Sequence, residues 1–80
     1  MLFINFRITT LIMEFPDMFQ RCVKIVEEEF EWNCHLFSVD YREYRLKRFL
    51  AGKLADPWTN PAAKIMFEWL INKKLEELGQ

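Results

Sequence analysis

The sequence predicts a single, mainly α-helical domain of three helices preceded by a short N-terminal β-strand or extended arm. Two observations predict the helices. In three separate segments, apolar residues recur at the three-and-four spacing of an amphipathic helix, and each segment begins beside a residue typical of a helix start. A third observation is the composition: 51% hydrophobic and 16% aromatic, with only two glycines and three prolines in 80 residues. That composition is typical of a folded chain, because disordered chains are poor in aromatic residues.

Residues 1–12 carry the pattern of a strand. One side of the alternation in residues 2–8 holds Leu2, Ile4, Phe6 and Ile8. Period-two alternation followed by the β-branched Thr9 and Thr10 predicts a strand. Because one strand cannot stand alone, we expect it to pair with another strand, to pair across a dimer, or to lie as an arm along the helices. In a second hypothesis, translation starts at Met13 and residues 1–12 lie outside the main fold.

The first helix is predicted over about residues 16–33. Pro16 suits a first turn, and Asp17 complements the positive end of the helix. The predicted core face consists of apolar residues spaced by three and four: Phe19, Cys22, Val23, Val26 and Phe30. A second apolar stripe beside it consists of Met18, Ile25 and Trp32, while the polar face holds Glu27, Glu28, Glu29 and Glu31.

The second helix is predicted over residues 39–55, with Ser38 or Asp40 as its N-cap. Its predicted core face is Val39, Leu46, Phe49, Leu50 and Leu54, with Tyr41 and Tyr44 beside it. Gly52 would cost about 1 kcal/mol inside a helix. We therefore expect Gly52 to mark the helix end or a close contact between helices.

The third helix is predicted over about residues 60–78. Asn60 precedes Pro61 as an N-cap residue before a first-turn proline, and Gly79 provides the stop. Its apolar residues cover roughly two-thirds of the helical circumference at about 100° per residue: Ala62, Ala63, Ile65, Met66, Phe67, Trp69, Leu70 and Ile71. Two helices and an arm can bury such a face only if this helix lies at the centre.

The predicted helices thus carry more apolar surface than a domain of this size needs for its core. Exposed apolar patches of a few hundred Å² usually mark an interface, and Trp, Tyr and Arg are enriched at binding hot spots. The candidate interface residues are Met18, Ile25, Trp32, Tyr44, Arg45, Arg48, Phe67, Trp69 and Ile71. In the alternative interpretation, the N-terminal arm covers these stripes and the excess is only core.

Charge is distributed unevenly although the net charge is only −1. Residues 21–40 hold two basic and five acidic side chains, a net of −3, whereas residues 41–53 hold five basic and one acidic, a net of +4. Two interpretations stay open. Either two packed helices complement each other, or the basic helix binds nucleic acid through its arginines and the interleaved tyrosines. A DNA-binding domain is usually basic overall, which this chain is not.

The nucleic-acid hypothesis has one analogy in its favour. A short strand, then Phe15-Pro16 and an amphipathic helix, with Ser38 near the next helix start, resembles the ribbon–helix–helix repressors over about half of the chain. The chain departs from that pattern in two ways. No glycine lies between Phe30 and Val39, and a third helix is left over.

Sequence motifs for chemistry are missing. Cys22, Cys34 and His35 lack the Cys-x-x-Cys or His-x₃-His spacing of a metal site. Gly52 and Gly79 are isolated, so no phosphate-binding loop is predicted. We find no signal-peptide pattern and no apolar run of about 20 residues, and we therefore expect reduced thiols, a cytoplasmic location and no membrane partner.

These observations predict a small non-enzymatic regulator, adaptor or inhibitor that binds a protein partner or a second copy of itself. No cofactor or small-molecule substrate is expected. The compact, aromatic-rich style is common among accessory proteins of bacteriophages and mobile elements, which bind host or phage proteins. The alternative is a small nucleic-acid-binding regulator that uses the basic helix 41–53.

Overall fold

The computed structural model describes residues 2–32 and 37–79, and the side chains of residues 7–31 and 37–79. It consists of four helices: α1 (Leu2–Glu14), α2 (Pro16–Trp32), α3 (Val39–Ala55) and α4 (Pro61–Leu78). No strand occurs in either described range. The mainly helical class is confirmed, but the helices number four where three and a strand are predicted.

The predicted N-terminal strand is wrong, because its residues form α1. Ile8, Leu11 and Ile12 repeat at helical spacing, and Ile8 is only 3% exposed in the core. A helix satisfies its backbone hydrogen bonds internally, whereas a lone strand leaves them without partners. With residues 2–14 helical, the strand that supported the likeness to ribbon–helix–helix repressors is lost.

Helix α2 follows α1 almost without a break. Backbone hydrogen bonds from Phe15 N–H to Leu11 O (2.9 Å) and from Phe19 N–H to Phe15 O (3.0 Å) bridge the junction. Pro16 is the first residue of α2, where its missing N–H costs nothing. Asn33, the last residue of the predicted helix, lies outside the described residues.

Helix α3 begins where the sequence predicts it, at Val39. Ser38 is the N-cap: its side-chain oxygen accepts a hydrogen bond from Tyr41 N–H at 3.2 Å, and Asp40 lies in the first turn instead. The expectation for Gly52 is wrong. Gly52 lies inside α3, and an added Cβ there would meet nothing within 4 Å, so the glycine serves neither as a helix end nor as a close contact.

Helix α4 has strong signals at both ends. The Asn60 side chain accepts a hydrogen bond from Ala62 N–H at 2.8 Å, and Pro61 is the first helical residue. At the other end, Gly79 N–H donates to Leu75 O at 3.2 Å and to Glu76 O at 3.1 Å. These contacts satisfy backbone groups that a helix end otherwise leaves without partners.

Helix α4 lies at the centre of the domain and packs against all three other helices, while α1 also packs against α2. The largest fully buried side chains come from three helices: Val26 of α2, Leu46 of α3, and Met66 and Ile71 of α4. Because α1 is a fourth helix, it adds cover that a three-helix domain lacks. The wide apolar face of α4 is therefore largely core.

Candidate interaction surface

Four of the nine predicted interface residues pack into or against the core. Phe67 is 4% exposed and Ile71 is 0% exposed. Met18 and Trp69 are half-buried against the same core. Phe67 and Ile71 are therefore not part of an interaction surface of the folded domain, because a partner could reach them only if the domain opened.

Tyr44, Arg45 and Arg48 lie together on the surface of α3. Tyr44 is 54% exposed, and the side chain of Arg45 is 30% exposed. Ile25 is 38% exposed on α2. Trp32 is the last residue of α2, and its side chain lies outside the described side chains.

An open groove of about 320 Å³ lies between α2 and α3 at this point. We call it the tyrosine–arginine groove; it is lined by Glu29 from α2 and by Tyr41, Tyr44, Arg45, Arg48 and Phe49 from α3. The α3 residues repeat at the three-and-four spacing of one helix face. That face borders the core face, so the periodicity of α3 brings polar and aromatic groups to one solvent-facing stripe.

Hydrogen bonds one helical turn apart order the groove. Arg45 Nη1 donates to Tyr41 Oη at 3.3 Å, and Arg48 Nη1 donates to Tyr44 Oη at 3.1 Å. Each tyrosine hydroxyl accepts here and keeps its own proton for donation. The groove wall therefore presents chiefly hydrogen-bond donors.

The aromatic rings form a row along the first half of α3. The ring centroids of Phe37 and Tyr41 lie 4.8 Å apart, and those of Tyr41 and Tyr44 lie 6.4 Å apart. Phe37 and Tyr41 are each 39% exposed, less than Tyr44. The row offers apolar contact area beside the two guanidinium groups.

Charge in the groove is only partly compensated. Arg45 Nη2 lies 3.5 Å from Glu29 Oε1, which links α3 to the acidic run of α2. The hydrogen bond with Tyr41, followed by the attraction of Glu29, raises the pKa of the Arg45 guanidinium further above its ordinary value. Arg48 has no carboxylate within 4.0 Å among the described side chains.

The acidic run of α2 does not pair with α3 alone. Glu27 Oε1 lies 2.7 Å from Lys74 Nζ of α4. On α3, Lys47 pairs within its own helix with Glu43 at 2.8 Å. The predicted complementarity between the two charged segments therefore accounts for Arg45 and leaves Arg48 uncompensated.

Three exposed aromatic residues between the described helices are not among the residues that the sequence predicts for an interface: Phe15, Phe37 and Trp58. Trp58 is 92% exposed in the α3–α4 connection, where its backbone N–H donates to Asp56 Oδ1 at 2.9 Å. Phe37 precedes the α3 cap. All three lie outside the helices, so helical periodicity could not select them. The sequence predicts Glu29 only on the polar face of its helix, and its place at the groove follows from the position of α2 next to α3.

The described part of the chain includes one thiol and no cluster of metal-ligating side chains. No group of three His, Cys, Asp or Glu side chains that could hold a metal ion occurs in that part of the chain. Cys22 has a free thiol that is 3% exposed, and burial raises its pKa, against the opposing effects of Lys53 and Arg21. A reactive cysteine needs the reverse, an exposed thiol of lowered pKa. Cys34 and His35 lie outside the described residues.

Within the described part of the chain, no helix is long and apolar enough to cross a bilayer.

Comparison with known proteins finds no match: no family model, no curated protein and no solved structure is significantly similar to this chain. Function therefore has to be inferred from the groove itself.

Proposed function

We propose that this protein is a small non-enzymatic regulator, adaptor or inhibitor that acts by binding another protein through the tyrosine–arginine groove. One observation carries the proposal: exposed tyrosine rings alternate with hydrogen-bonded arginines on one face of α3. Tyr and Arg are among the residues most enriched at binding hot spots, and charged residues other than Arg are depleted there.

The groove is already ordered before any partner arrives. The Arg45–Tyr41 and Arg48–Tyr44 hydrogen bonds hold both guanidinium groups against the helix surface. Side chains held in this way lose less conformational freedom on binding than free arginines would. This supports a binding role for the surface beyond its contribution to solubility.

The cellular setting and the kind of protein partner are proposed from more general features of the chain. A cytoplasmic setting agrees with the free thiol of Cys22. The bacteriophage or mobile-element setting, and binding to a host or phage protein, are kept as expectations from the compact, aromatic-rich style of the chain. A second copy of the chain is included among the protein partners, because symmetric dimers are the commonest assemblies.

Nucleic acid is a second candidate partner for the same surface. Tyr41 and Tyr44 beside Arg45 and Arg48 could stack on bases and contact phosphates. Glu29 disfavours this partner, because its carboxylate lines the same groove and would repel phosphates. We therefore rank protein binding first.

The decisive experiment compares partner capture by the full-length protein and by a groove variant. Tyr44→Ala combined with Arg48→Ala removes exposed side chains only, so the variant should fold. After nuclease treatment, we expect a protein that co-purifies with the native chain to be lost from this variant. It should be retained by Arg7→Ala, a control that removes an exposed arginine from α1.

Light scattering on the same three proteins tests self-association. A second copy as partner requires a mass that rises with concentration and falls to that of the monomer in the groove variant. The proposal fails if capture depends on nucleic acid. It also fails if the groove variant binds the same proteins as the native chain and neither protein self-associates.

A further inference from the structure

We infer that the tyrosine–arginine groove selects an acidic segment of its protein partner, with Arg48 as the anchor for one carboxylate. This inference rests on the proposed function and narrows it to a class of partner. It depends on the charge, the donors and the apolar rings that α3 brings to one place.

Charge comes first. The groove contains two guanidinium groups and one carboxylate, and Glu29 is placed to compensate Arg45. Arg48 lacks a carboxylate partner among the described side chains and donates instead to the neutral hydroxyl of Tyr44. The groove therefore has an excess of one positive charge, which an incoming carboxylate would neutralise.

Geometry makes Arg48 suitable for a carboxylate. A guanidinium has five N–H donors in a planar fork, and it binds a carboxylate best through two parallel hydrogen bonds. The hydrogen bond of Arg48 Nη1 to Tyr44 Oη fixes the fork, and the Tyr44 hydroxyl keeps its own proton to donate. One acidic side chain can thus receive donors from two neighbouring residues of the same helix.

The ring row favours a peptide over a simple anion. Phe37, Tyr41 and Tyr44 form a connected apolar wall beside the arginines. A peptide that places an apolar side chain next to an acidic one would use both parts of the groove. A nucleic acid places a negative charge at every nucleotide, so its phosphates would meet Glu29 as well as Arg48, whereas a peptide can place a single carboxylate at Arg48.

The test titrates the full-length, ¹⁵N-labelled protein with three probes of equal length. The first is a peptide with a single glutamate beside a leucine and no other charged side chain, the second is the same peptide with glutamine for that glutamate, and the third is an oligothymidylate. We expect the acidic peptide to shift the amide resonances of residues 41–49 and of Glu29. The glutamine peptide should bind about fivefold to tenfold more weakly, as expected for loss of one charge-assisted contact.

Two matched variants assign the contact. Arg48→Gln should reduce affinity for the acidic peptide about fivefold to tenfold and remove its preference over the glutamine peptide. Arg7→Gln removes the same charge from an exposed arginine of α1 and should leave both affinities unchanged. Because both side chains are exposed, neither substitution should disturb the core.

Failure of this inference can be told apart from failure of the proposed function. If both peptides shift the groove equally, acid selection is overturned while protein binding at the groove stands. If neither peptide shifts the groove, acid selection is overturned, and partner capture by the groove variant decides on protein binding separately. If the oligothymidylate displaces the acidic peptide, acid selection is overturned in favour of nucleic acid.

Discussion

Two side chains, those of Cys22 and Lys74, make the free energy of unfolding depend on pH in the alkaline range. Burial raises the pKa of the Cys22 thiol. Burial alone would lower the pKa of Lys74, but its hydrogen bonds, first with Glu27 and then with Glu77, outweigh that effect and raise it. The Lys74 ammonium lies 2.7 Å from Glu27 and 3.3 Å from Glu77, over the ring of Phe30. Both groups therefore hold their protons more tightly in the folded state than in the unfolded chain.

The resulting pH dependence has a definite sign. As pH rises through the unfolded pKa values, the folded state keeps protons that the unfolded chain releases, so the free energy of unfolding falls. We expect urea unfolding to give a nearly constant value at neutral pH. The decline should begin above about pH 8.5, where unfolded thiols titrate, and steepen above about pH 10.4, where unfolded lysines titrate.

Two substitutions separate the contributions. Cys22→Ala should remove the first part of the decline, and Lys74→Met should remove the second, although each variant has its own stability at neutral pH. A free energy of unfolding that rises with pH in this window would contradict the raised pKa values of both groups.

The sequence predicts whether a residue is exposed only where the residue's own helix determines its surroundings. Tyr44, Arg45 and Arg48 follow from the spacing along α3, since polar groups beside a core stripe face solvent. Phe67 and Ile71 show the limit of that approach. Periodicity cannot say how many neighbours cover a helix, and these two residues are buried because α4 has three.

At the scale of elements, capping residues predict where a helix begins. The apolar pattern predicts less well whether a segment is a helix or a strand. Asn60 accepts a backbone hydrogen bond as the predicted cap of α4, and Ser38, one of the two predicted caps of α3, does the same there. Helix α1 shows the opposite case. Leu2, Ile4, Phe6 and Ile8 alternate as in a strand, but Ile8, Leu11 and Ile12 also repeat as in a helix. Because residues 2–32 and 37–79 contain no second strand for it to pair with, the segment forms a helix.

The cap of α4 gives the element-scale prediction. Asn60→Ala removes the acceptor for Ala62 N–H, now at 2.8 Å, and should lower the free energy of unfolding by about 1 kcal/mol. Urea unfolding at neutral pH measures the change. Because α4 packs against every other helix, the loss should appear in one cooperative transition.

Thr59→Ala is the matched control for the cap. Thr59 adjoins Asn60, and the hydrogen bond found for Thr59 uses its backbone N–H, which donates to Asp56 O at 3.2 Å. We expect this substitution to change stability by less than about 0.5 kcal/mol. Equal losses for Thr59→Ala and Asn60→Ala would show that the side-chain cap of α4 contributes nothing.

At the scale of the whole molecule, α1 decides how much apolar surface is left for binding. Ile8 of α1 is 3% exposed within the same core as Met66 and Ile71 of α4. A domain of 80 residues has little core to spare. The hypothesis that residues 1–12 stand outside the fold therefore has a direct energetic test at Ile8.

Ile8→Ala should destabilise the protein by about 2 to 4 kcal/mol, because it removes buried methyl groups and leaves a cavity at the centre of the domain. Ile25→Ala deletes the same atoms from a side chain that is 38% exposed on α2, and it should cost about 1 kcal/mol or less. Urea unfolding of the two variants beside the native chain gives both values. If the two losses are equal, α1 does not belong to the core, and the apolar face of α4 that it covers would be free to bind a partner. A much larger loss at Ile8 would place α1 within the cooperative fold, with the apolar face of α4 covered by it.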